Sequence, residues 1–156
     1  MNRSIVGLDK DQSIKLANEL NILLANFQVY YQNLRGLHWN IKGKNFFELH
    51  VKFEELYTDA QEKVDMIAER ILTLQGQPMH TFEEYMATSS VHIAKNISND
   101  VKAVNVIVAS LSELIKKERE ILAISDDADD EGTNAMMSDF ISEQEKTIWM
   151  MNAWLA

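Results

Sequence analysis

From His38 to Glu69 the chain reads HWNIKGKNFFELHVKFEELYTDAQEKVDMIAE. Past a turn at Lys42-Gly43-Lys44, the residues Phe53, Leu56, Ala60, Val64, Ile67, Ile71 and Leu74 recur at steps of three and four, the core stripe of an amphipathic helix. Asn45, with Glu48 three residues on, carries a capping-box signature at the start of that helix. Gly76-Gln77-Pro78 closes it. A second band, His50, Glu54, Tyr57, Gln61 and Asp65, falls within about 80° at roughly 100° per residue and flanks the core stripe. Such a polar-aromatic face is either solvated or part of a wet subunit interface.

Imidazole and carboxylate side chains on this stretch suit iron, manganese or zinc, and the chain has no cysteine to offer instead. The candidate metal ligands are His38, His50, Glu54, Asp65 and Glu69. Any one of them alone reads as an ordinary surface group; the combination is what points to a metal. His50 and Asp65 are 15 residues apart, which along a continuous helix is roughly 22 Å. Ligands of one ion lie a few ångströms apart, so if these two share a metal they come from different copies of the chain, paired across a two-fold axis. Asp65 and Glu69, at i and i+4, lie on one face and reach one ion together.

Working outward, the residues from about Asp9 to Gly36 place Leu20, Leu24, Phe27, Tyr31 and Leu34 on a helical stripe, with Asp9 or Asp11 as N-cap. His38 lies five turns after Leu20 and extends that stripe if the helix persists beyond Gly36. After the second helix, Thr81-Phe82-Glu83-Glu84 repeats the capping box and predicts a short helix within a long connection. A third helix is expected from about Val91 to Ile124, with Ile97, Val101, Val104, Val108, Leu111, Ile115 and Leu122 inward. An acidic loop from Asp126 to Gly132 follows. The last helix is expected from about Thr133, with Met137, Phe140, Ile141, Ile148, Met151 and Leu155 inward. Four long helices, two short turns and one long middle connection describe an all-α, ferritin-like four-helix bundle, a single domain over residues 1–156.

Composition narrows the function. The length of 156 residues suffices for one core. The absence of cysteine fits a reducing cytoplasm, the first residues lack the apolar core of a signal peptide, and no apolar run is long enough to span a bilayer. The expectation is a cytoplasmic protein without a membrane partner. A formal net charge of −9 argues against direct DNA binding, and neither end carries a basic tail.

His38, His50, Asp65 and Glu69, opening on His38-Trp39-Asn40, resemble the ferroxidase motif of the Dps family, the DNA-binding proteins from starved cells or mini-ferritins. The likeness covers nearly the whole chain. It implies a homo-oligomer, a shell of twelve copies, that oxidises Fe(II) with hydrogen peroxide or, less readily, oxygen, and stores ferric mineral. By this resemblance His38 and His50 belong to one subunit and Asp65 and Glu69 to its two-fold partner. Glu54 stands where a further carboxylate helps a second ion, allowing two irons per site. Trp39 stands where a tryptophan beside the iron takes up electrons, a catalytic role; an aromatic in an interface would look the same. The chain departs from the wider ferritin pattern in having no Glu with a His three residues on, which removes an in-bundle di-metal site. It departs from many relatives at Ala135, where a carboxylate lines the pore. A non-enzymatic, DNA-protecting shell is the alternative function.

Overall fold

The computed structural model describes residues 2–156. Its helices are α1 (Lys10–Asn40), α2 (Phe46–Thr73), α3 (Phe82–Thr88), α4 (Asp100–Asp127) and α5 (Glu131–Leu155). Four are long, as the apolar periodicity predicts, and the short one lies in the connection between the second and third long helices, where the Thr81 capping box predicts it.

Contacts at the helix ends fix the directions. The start of α2 meets the start of α4, where Lys42 N donates to Ser98 O at 2.9 Å and Asn45 Nδ2 to Asp100 Oδ2 at 2.8 Å. The end of α2 meets the start of α5, where Arg70 donates to Asp130 Oδ1 at 2.6 Å and to Thr133 Oγ1 at 2.9 Å. Hence α2 and α4 run parallel to each other and antiparallel to α5. Two consecutive parallel helices need a crossover the length of the bundle, and residues 74–99 supply it. Its first turn closes onto α1 at Gly76, where an added Cβ would come within 2.7 Å of Ala17 Cβ. The stripes of the four long helices meet in one core. Leu20, Phe27, Leu34, Phe53, Ile107 and Phe140 are almost wholly inaccessible, and Phe27 meets Phe140 edge-on at 6.0 Å. Burying each such side chain contributes roughly 1.5–3 kcal/mol.

Several boundaries differ from those the periodicity suggests, each for a local reason. The first helix passes through Gly36 to Asn40, so His38 stays on the buried stripe at 7% exposure. The expected capping box at Asn45 does not form, because the Asn45 side chain is spent on Asp100. The one at Thr81 does, with Thr81 Oγ1 accepting from Glu84 N and the Glu84 carboxylate from Thr81 N. The third long helix starts at Asp100 rather than Val91. Residues 89–99 run outside any helix, since α1 supplies their backbone with side-chain partners: Ser90 N donates to Asn26 Oδ1, Asn33 Nδ2 to His92 O, and Ala94 N to Asn33 Oδ1. Asn99 then caps α4 by accepting from Lys102 N at 2.9 Å. Val101 is accordingly half exposed, and Ala103, Val104, Ile107, Leu111 and Leu114 face the core. The acidic run is mostly helix ends rather than loop: α4 continues to Asp127, and buried Asp130 caps α5 through Thr133 N at 3.0 Å. Among the described residues no helix is long and apolar enough to cross a membrane.

Candidate metal centre

His38 in the last turn of α1 and His50 in the second turn of α2 are brought together by the short turn between these helices. Their rings stack, with centroids 3.7 Å apart and planes 12° from parallel. The anchoring is reciprocal: His38 Nδ1 lies 2.6 Å from His50 O, and His50 Nδ1 lies 2.7 Å from His38 O. A carbonyl only accepts, so each Nδ1 carries the proton and donates it. With Nδ1 the protonated nitrogen, the tautomer so selected has its lone pair on Nε2, the arrangement that orients imidazole for a metal.

Aromatic neighbours hold the pair in place. Phe46 stacks on the other face of His50 at 4.8 Å, and Tyr57 meets His38 edge-on at 5.4 Å. Glu54, one turn after His50, brings Oε1 to 3.9 Å from His38 Nε2, too long for a hydrogen bond. The same oxygen accepts from the Tyr57 hydroxyl at 3.3 Å. Partial desolvation and then the Glu54 carboxylate push the Tyr57 phenol above its usual range, so it remains a donor at neutral pH. Glu54 thus lies beside the His38 end of the imidazole pair.

Asp65 and Glu69 do not join them. Both are exposed on α2, with Asp65 roughly 22 Å from His50 along the helix axis. Asp65 lines a cavity of about 720 Å³ together with Tyr31, Gln61, Met79 and His80. Among the described residues no three His, Asp or Glu side chains are placed to hold a metal. A single chain therefore carries an imidazole end and a carboxylate end that cannot meet on one ion.

Trp39 adjoins His38 in sequence but stands on the outside, 57% exposed, with the Arg35 guanidinium 4.8 Å over its ring. Arg35 also lies 5.5 Å over Tyr31. Phe46 and Arg35 were missed by sequence reasoning that looked for ligand chemistry. The i, i+4 spacings Phe46–His50 and Arg35–Trp39 are the signals that would have found them.

Four long helices with a full-length crossover between the second and third, and imidazole and carboxylate groups borne on their faces, define a ferritin-like protein. Residues 17–156 match the family described as Ferritin, a ferritin-like domain. The crystal structure of the Dps protein from Vibrio cholerae O1, described as a member of a broad superfamily of ferritin-like diiron-carboxylate proteins, superposes with a TM-score of 0.98 at 51% identity, covering 100% of this chain and 98% of that one. A Dps protein from Bacillus brevis gives a TM-score of 0.91 at 35% identity, over 94% and 98% of the two chains. The DNA protection during starvation protein of Porphyromonas gingivalis is 39% identical over 150 residues, 96% of this chain and 94% of that protein. The chain belongs to the Dps family of ferritin-like proteins.

Proposed function

We propose that the chain is an iron-oxidising, iron-storing protein that works as a homo-oligomeric cage of twelve copies in the cytoplasm, with its sites at two-fold subunit interfaces. Fe(II) is the substrate and ferric mineral the cargo. The observation that carries this reading is the reciprocally anchored imidazole pair, with both Nε2 atoms left available and Glu54 beside them. His38 and His50 of one subunit, with Glu54 helping a second ion, face Asp65 and Glu69 of the two-fold partner across each interface. Imidazole and carboxylate together suit iron in either oxidation state.

In this reading hydrogen peroxide takes one electron from each of two Fe(II) ions and, with two protons, leaves as two waters. No hydroxyl radical is released. Trp39, next to His38 and exposed at the surface, stands where electron uptake beside the iron would limit radical release. Removing Fe(II) and peroxide protects DNA without contact. That accounts for the name borne by the relatives without requiring a surface of net charge −9 to bind phosphates.

An anaerobic Fe(II) titration followed by measured additions of peroxide, read optically, tests the reaction. The expected result is two irons oxidised per peroxide with no trapped hydroxyl radical. One iron per peroxide with radical release would refute it, and tight binding of plasmid DNA by metal-free protein at physiological salt would favour the DNA-coating shell instead.

A further inference from the structure

The middle of the bundle holds a polar group that the candidate metal centre does not use. Glu118 on α4 is 0% exposed, and among the described residues neither of its carboxyl oxygens has a hydrogen-bond partner. Gln144 on α5 is 5% exposed, and its amide oxygen and nitrogen are likewise unpartnered. Gln144 lies near enough to Glu118 to act on its titration, although no bond of good geometry joins them.

The charged and titratable neighbours come from every long helix. Tyr30 of α1 is buried, and its phenol is driven far upward by burial first and then by Asp59 and Glu118. Lys63 of α2 reaches inward to 4% exposure, but its ammonium is taken by Asp59 at 2.7 and 2.8 Å and by Glu143 of α5 at 2.7 Å. Arg119, next on α4, turns outward to Glu145 at 2.7 Å. Among the described residues no cation is left over to pair with Glu118. An ionised carboxylate buried without a donor is among the most costly groups in a protein interior. A neutral carboxylic acid has one O–H donor and one carbonyl acceptor, which complement the oxygen and the N–H groups of an amide.

We propose that Glu118 is held as an uncharged carboxylic acid against Gln144, and that its forced ionisation in alkaline solution loosens the seam between α4 and α5. The Glu118 carboxyl is raised to about 8: burial, the largest influence, and Glu143 drive it up against the opposing pull of Gln144, Lys63 and Arg119. Since the folded value lies above the unfolded one, the folded chain keeps a proton that the unfolded chain has released. The associated stability is fully present below the unfolded carboxyl range and is lost as pH rises through about 8.

Urea unfolding of the assembled protein and of its Glu118→Gln variant, at one protein concentration and from about pH 5 to about pH 9, tests this. The amide has the shape of the neutral acid and no proton to lose. The midpoint of the wild type is expected to fall with pH more steeply than that of the variant, the difference amounting to about one proton per chain over the lower half of the range. Equal slopes would overturn the proposal. A second measurement needs no variant: infrared spectra of protein with isotope-labelled glutamate should show the carbonyl stretch of a protonated side chain at neutral pH, disappearing as the solution is made alkaline. Absence of that band at neutral pH would also overturn it.

Discussion

At His38 and His50 the decisive atom is Nδ1, because its hydrogen bond to the other residue's carbonyl selects the tautomer and aims Nε2. Each ring also fixes the other, since they stack at 3.7 Å. Replacing His50 by Ala removes a proposed ligand and at the same time leaves His38 with one face unsupported. Rapid Fe(II) oxidation by the His50→Ala protein is expected to fall roughly 10- to 100-fold, as measured by stopped-flow absorbance after peroxide addition. The fold should survive, for His50 is only half buried and touches Phe46 and His38 rather than the bundle core. An oxidation rate equal to that of the wild type would remove the histidines from the site.

Among the elements, the crossover depends most on neighbours outside itself. Residues 89–99 have apolar side chains at Val91, Ile93 and Ile97 and continue into a strongly periodic helix, which is why periodicity extends α4 backwards to Val91. Their backbone is instead satisfied from α1, where Asn33 accepts from Ala94 N at 3.0 Å and donates to His92 O at 2.8 Å. Nothing local to residues 89–99 encodes this. Asn33→Ala should cost about 1–3 kcal/mol of stability, since it strips two backbone groups of their partners. The accompanying loss of hydrogen-exchange protection should centre on Ala94. A loss spread evenly over all the helices would show that Asn33 supports the bundle rather than the crossover.

For the whole molecule, the roughly 22 Å between His50 and Asp65 becomes a question of assembly. One variant with His38→Ala and His50→Ala and another with Asp65→Ala and Glu69→Ala should each lose rapid iron oxidation. In the proposed two-fold dimer, mixed from both chains, the histidines of the second would face the carboxylates of the first, so that one of the two sites would be whole. Co-expressed cages, shown by mass spectrometry to contain both chains, should regain a substantial fraction of the activity. Activity no higher than in the separate variants would end the inter-subunit reading, while loss of cage formation itself would show up in the same mass measurement.

The sequence by itself determined the four long helices, because apolar residues at steps of three and four can bury themselves only as helix faces. It also supplied the inventory of candidate ligands and determined the arithmetic that keeps His50 from Asp65, since the rise of a helix is independent of context. The caps at Asp9 and Thr81 were legible for the same reason, being local chemistry. Tertiary structure alone decided what depends on residues distant in the chain. It spent Asn45 on Asp100 instead of on its own helix, held residues 89–99 out of any helix through side chains of α1, and turned His38 and His50 toward each other's carbonyls. It also sealed Glu118 inside the bundle, though a glutamate in a helix otherwise reads as a surface charge. In each case the determining partner lies dozens of residues away or across a turn, and a pattern read along the chain has no term for a neighbour that arrives only on folding.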